Sequence, residues 1–155
     1  MSTNVTKLIV SLRSAEFPIW NTCDGPDHSP ELRIRGFTPE TQSMAVFALN
    51  PFESGCSFTT WIIWNLLPTA LLPEGIPVQG VVAAPISAVQ GTNDYGTIGW
   101  RGPCPPRGET HRYIFKVYGL DAMLDLAAGA DKHDLIAAMQ GHVLQFGETA
   151  ATYSR

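Results

Sequence analysis

His111 stands two residues before Tyr113 and a short distance after the paired prolines Pro105 and Pro106. On an extended segment that spacing puts an imidazole N–H and a phenol O–H on one face, where both can donate to a single acceptor. Backbone amides of the proline-rich loop would add further donors. Converging donors of these kinds are what a phosphate or carboxylate oxygen requires. The competing role for His111 is that of a strand-start residue bonded to a neighbouring carbonyl, and for the prolines it is loop stiffness without ligand contact. Arg112 falls on the opposite face and reads as an anchoring residue.

A second set is Cys23 or Cys104 with His111 and Asp24, the thiol, base and orienting group of a weak Cys/His hydrolase. The three cysteines Cys23, Cys56 and Cys104 are odd in number and lack Cys-x-x-Cys spacing. They indicate neither a zinc site nor a disulfide framework, and thiols are expected. His28, His133 and His142 also lack metal-ligand spacing, so no metal is expected. There is no Gly-x-Ser-x-Gly elbow, Walker loop or dinucleotide fingerprint, so no cofactor is expected. A non-catalytic binding protein is favoured over an enzyme.

The elements that must position these residues are mostly strands. Residues 31–35 alternate polar and apolar, and residues 112–118 alternate with Tyr113, Phe115 and Val117 on one face. Short apolar runs at 44–49 and 61–66 read as central strands, with Trp61 and Trp64 on opposite faces. Residues 7–12 read as an edge-like first strand, 76–82 as a weaker one, and 142–153 as extended. Residues 21–30 and 91–106 read as polar or breaker-rich loops. Only near the end does the period change: Asp131 caps a helix with Leu135, Ile136 and Met139 on one face, stopped by Gly141.

The 155 residues carry a formal charge of −4, with 45% hydrophobic content, 12 prolines and 14 glycines. One domain spanning 1–155 is expected, since that length buries a sizeable core. Scattered Pro and Gly argue for short elements joined by turns, hence a mainly β fold. The negative charge gives no footprint for nucleic acid. The apolar stretch 61–72 is interrupted by Asn65 and Pro68, too broken to span a bilayer, so no integral membrane association and a cytoplasmic location are expected.

Three stretches read in order resemble the phosphatidylethanolamine-binding protein family, in its bacterial and archaeal YbhB/YbcL-like branch, relatives of the Raf kinase inhibitor proteins. They are Thr22-Cys23-Asp24-Gly25 with Ser29-Pro30-Glu31-Leu32; Asn93-Asp94-Tyr95-Gly96 with Gly102-Pro103-Cys104-Pro105-Pro106 and His111-Arg112-Tyr113-Ile114-Phe115; and Gly141-His142-Val143-Leu144 through Gly147-Glu148 to Thr152-Tyr153. The resemblance implies an antiparallel β-sandwich with Greek-key-like connections and a few short peripheral helices. It also implies a small pocket at one end that accepts phosphate-like anions or phospholipid head groups, walled here by His111, Tyr113, Pro105, Pro106, Asn50, Pro51, Thr60 and Trp61.

This chain departs from the family at one wall. Asn50-Pro51-Phe52-Glu53-Ser54 stands where the family has Asp-Pro-Asp-Ala-Pro, and Thr60 stands where it has a pocket histidine. Asn50 and Thr60 can still donate hydrogen bonds, so weaker and less pH-dependent anion binding is expected. Phe52 would cover or narrow the mouth. Relatives that dock on kinases or serine proteases add an alternative reading, a protein inhibitor with a degenerate pocket. The residues select no protein partner and leave the oligomeric state open, a homodimer included.

Overall fold

The computed structural model describes residues 5–51 and 58–155, and among these are two sheets, one α-helix and a short 3-10 helix at Ile19–Asn21. The strands are β1 (Thr6–Lys7), β2 (Ile9–Ser11), β3 (Leu32–Arg35), β4 (Ser43–Asn50), β5 (Phe58–Leu66), β6 (Leu71–Leu72), β7 (Val81–Val82), β8 (Ala88–Gln90), β9 (Thr110–Leu120) and β10 (Val143–Ser154), with α1 (Lys132–Met139) before the last. A seven-stranded sheet runs β1-β10-β9-β4-β5-β8-β7, and a three-stranded sheet runs β2-β3-β6. Pairing is antiparallel except for β1 on β10. The return of β9 to the flank of β4, opposite β5, gives the Greek-key-like order.

The period-two pattern decides which side chains face which layer. From β4, Met44, Val46 and Ala48 join Trp61 and Ile63 of β5 and Tyr113, Phe115 and Val117 of β9 in one core, with Leu32 and Ile34 of β3 and Leu72 of β6 from the small sheet. The alternate residues Ala45, Phe47, Leu49, Ile62 and Trp64 face the other way and pack with Leu135 and Met139 of α1. Both faces of β4 and β5 are therefore covered, and every residue of β4 is buried. That is why these two strands read as continuous apolar runs while β9, more open on its outer face, alternates.

Residues 7–12 form two strands rather than one. β1 joins β10 in the large sheet, β2 joins β3 in the small one, and the chain crosses between them at Leu8, whose N–H donates to the Phe146 carbonyl at 2.8 Å. Gly147 makes room for the crossing, since a Cβ there would lie 2.3 Å from the Leu8 carbonyl oxygen. The weak strand expected over 76–82 reduces to Val81–Val82, while β6 and β8 carry too few residues to show a period. In α1, Asp131 accepts from the Asp134 N–H in a capping box, and Leu135 and Met139 are buried. Ile136 is 45% exposed, so it lies off the buried face where it had been expected. Gly141 leaves the helix at φ 79°.

Candidate functional site

Three side chains meet at the end of the inter-sheet core. His111 and Tyr113 reach it from the start of β9, where alternate residues face inward, and Asn50 reaches it from the last position of β4. The Asn50 amide Nδ2 lies 3.3 Å from His111 Nδ1 and 3.4 Å from the Tyr113 hydroxyl. With Asn50 donating to Nδ1, the ring proton sits on Nε2, which meets Glu109 Oε1 at 3.0 Å. The His111 side chain is 3% exposed and that of Glu109 44%. Glu109 was not anticipated from the sequence, although its position two residues before His111 on an extended segment is the signal that would place it on the same face.

The proline-rich loop beside this cluster is tied down from several directions. Cys23 and Cys104 form a disulfide with a Cα–Cα distance of 5.4 Å, where thiols had been expected. The expectation missed because 81 residues separate the pair and only the fold brings them together. The same bond counts against the hydrolase reading: while it is closed, neither sulfur carries the thiolate that a nucleophile requires. Around it, the Cys23 N–H donates to the Pro103 carbonyl at 3.2 Å, and Arg155 Nη1 donates to the Pro105 carbonyl at 3.4 Å. Pro105 is buried and Pro106 exposed.

Two aspartates brace this region. Asp27 accepts from Trp100 Nε1 at 3.0 Å and from the Gly102 N–H at 3.0 and 3.1 Å. Burial nevertheless pushes its carboxyl above the ordinary value, outweighing those bonds. Asp24 accepts from the Tyr153 hydroxyl at 2.5 Å and pairs with Arg155 Nη2 at 3.0 Å. The tyrosine hydrogen bond, then the arginine, hold the Asp24 carboxyl below its ordinary value. Tyr153 is the register partner of His111 across β9 and β10, so this bracing lies next to the cluster. The amides of Gly102, Gly108 and Glu109 are committed to Asp27, Arg155 and Pro106, which removes three of the backbone donors expected from this loop.

The remaining expected wall residues are placed differently. The Thr60 hydroxyl donates to the Ala48 carbonyl at 3.3 Å, and the residue is buried. Trp61 is fully buried in the inter-sheet core, its Nε1 donating to Gln90 Oε1 at 2.7 Å. Pro51 is exposed at the exit of β4. Phe52, Glu53, Ser54 and Cys56 lie outside the described residues. Asp94 accepts from the Thr59 N–H at 2.8 Å and from Lys132 Nζ at 2.7 Å. Arg112 points away from His111 and is exposed. His133 lies on α1, and His142 at its exit pairs with Asp121 at 2.7 Å. No group of three or more His, Cys, Asp or Glu that could hold a metal occurs among the described residues. No helix among them is long and apolar enough to cross a membrane.

Comparison with known proteins gives a consistent result. The family model described as phosphatidylethanolamine-binding protein matches residues 12–154. A UPF0098 protein of Pyrococcus abyssi is 48% identical over 139 residues, covering 89% of this chain and 78% of the relative. The crystal structure of a phosphatidylethanolamine-binding protein homologue, CT736 of Chlamydia trachomatis, superposes with a TM-score of 0.82 at 34% identity, covering 98% of this chain and 99% of that one. YbcL of Escherichia coli shares the fold at 24% identity, with a TM-score of 0.83 and coverage of 96% and 98%. This chain belongs to the phosphatidylethanolamine-binding protein family, in its bacterial and archaeal YbhB/YbcL-like branch.

Proposed function

We propose that this chain is a non-catalytic binding protein that takes a small phosphate-like anion, free or as a phospholipid head group, at His111, Tyr113 and Asn50. The observation that carries the reading is the convergence of a ring N–H, a phenol and an amide at one end of the core, with Asn50 within 3.4 Å of both other residues. An incoming phosphate oxygen replaces Glu109 as the acceptor of the Nε2 proton, and the half-exposed Glu109 side chain swings toward solvent. The Tyr113 hydroxyl supplies a second donor, and Asn50, whose amide hydrogens go to His111 Nδ1 and to that hydroxyl, orients both groups. Pro105, Pro106 and Pro51 stiffen the rim. Thr60 and Trp61, whose polar groups are bonded within the protein, shape the pocket floor and donate nothing to the ligand.

One domain spanning residues 1–155, a cytoplasmic location and the absence of a nucleic-acid partner belong to the same reading. The disulfide bears on location, because a reducing cytosol opens most such bonds. Thiol labelling of the protein inside cells separates the cases: a bond found intact there removes the redox objection, and cysteines found open would limit the bond to oxidising conditions.

The test is a titration with inorganic phosphate and with phosphoethanolamine, followed through the His111 ring signals by NMR, with His111→Ala as control. Saturable shifts lost in the variant are expected. No shift at high ligand concentration would overturn the anion reading and leave docking on a protease or kinase as the better one.

A further inference from the structure

A groove of about 930 Å³ lies on the outer face of the large sheet beside α1, on the side of β9 opposite His111. Its apolar lining comes from Phe47 and Leu49 of β4, Ile136 and Met139 of α1, and Val143 and Leu144 of β10. The volume falls within the range of small-molecule sites. Two polar groups rise from the β9 part of the floor, Lys116 and the Tyr118 hydroxyl.

The charge of the lining is biased. Lys116, Lys132 and His133 face Asp121 as the sole carboxylate among the lining residues, and that carboxylate is paired with His142 at 2.7 Å. Lys132 is held by Asp94. Lys116 forms no ion pair among the described residues, although Glu148 is its register partner on β10. Tyr118 packs edge-on against Phe47 at 5.6 Å, and burial, then Glu148, raise its phenol above the ordinary value. Its hydroxyl therefore stays protonated at neutral pH, able to donate beside the ammonium.

An apolar trough with a cation and a hydroxyl donor on its floor fits a molecule with an extended hydrocarbon body and one acidic head. We propose that this groove is a second binding site, independent of the His111 cluster, which takes a free medium-chain carboxylate with its head on Lys116 and Tyr118 and its tail against Ile136 and Met139.

The experiment is a calorimetric titration of the whole protein with decanoate and with decyltrimethylammonium, both below their micelle concentrations. Decanoate is expected to bind saturably and the ammonium compound not at all. Lys116→Met keeps the apolar stem and removes the charge, and it weakens decanoate about tenfold, as loss of a charged hydrogen bond does. Ile136→Asp, at an exposed position where folding is little affected, abolishes it. His111→Ala leaves decanoate binding unchanged, which separates failure of this site from failure of the anion pocket. Equal binding of both amphiphiles, no saturable binding, or indifference to Lys116→Met would overturn the assignment. So would a concentration-dependent dimer that Ile136→Asp dissociates, because a second copy would then fill the groove.

Discussion

His111 Nε2 faces Glu109 Oε1 at 3.0 Å, two residues back along the same extended segment. The protein thus supplies its own carboxylate to the donor that an external anion would use. That carboxylate also adds a negative charge at the mouth, where it opposes an incoming phosphate. Glu109→Gln removes the charge and keeps the shape, and it is expected to tighten phosphate binding by about fivefold, the scale of a partly exposed charge pair near 1 kcal/mol. The dissociation constant from the phosphate titration checks this. An unchanged constant would mean that Glu109 does not compete.

The Cys23–Cys104 bond closes a loop over a separation of 81 residues and pins the rim that carries Pro105 and Pro106. Chain-entropy arguments put the stabilisation from a loop of that length at about 4.5 kcal/mol, and measured values are often smaller. The double variant Cys23→Ser/Cys104→Ser should therefore unfold at a markedly lower temperature and lower urea concentration than the native chain. Because both cysteines are exposed residues, reductant should move the native protein toward the variant and leave the variant unmoved. Coincident melting curves with and without reductant would refute the staple.

Strands with a clear local pattern were legible. The run over 31–35 appears as β3, the run over 112–118 as β9, and the capped segment after Asp131 as α1. What escaped was set by distance in the chain. The split at Leu8 depends on Gly147, and the disulfide depends on two loops meeting. β6 and β8 owe their existence to partners in β3 and β5. In the candidate site, Asn50, His111 and Tyr113 come together, whereas the resemblance alone could not say that Thr60 and Trp61 have their polar groups bonded to Ala48 and Gln90. Loop 21–30 looked too polar for the core, yet Asn21, Thr22 and Ser29 are buried there because backbone and side-chain bonds satisfy them.

Gln90 shows how one buried amide can join three segments. It is fully buried, accepts from Trp61 Nε1 at 2.7 Å, and donates to the carbonyls of Pro77 and Gln79 at 2.7 and 2.9 Å. Gln90→Leu keeps the bulk but strands the buried Trp61 indole N–H, while the Pro77 carbonyl keeps the Gln79 N–H at 2.8 Å. A buried orphan costs about 1–3 kcal/mol, so a loss on that scale is expected in urea unfolding. A loss below about 1 kcal/mol would show that water satisfies that group in the variant.

The hydrogen bond from Tyr153 to Asp24 sets a stability window with two edges. Asp24 is held below its ordinary value of 3.8, chiefly by this bond. A depressed carboxylate contributes stability above its unfolded value and loses it as pH falls through the folded one. Tyr153 is raised above 10.0, chiefly by the same bond. A raised phenol contributes stability in full below its unfolded value and loses it as pH rises through the folded one. Tyr153→Phe deletes the bond and leaves the ring against the core. The urea midpoint of the native chain should therefore exceed that of Tyr153→Phe by a constant margin from about pH 5 to about pH 9. The margin should shrink below about pH 4 as Asp24 takes up its proton, and again above about pH 10 as the phenol ionises. A margin that ignores pH at both edges would mean that the hydroxyl contributes through packing alone.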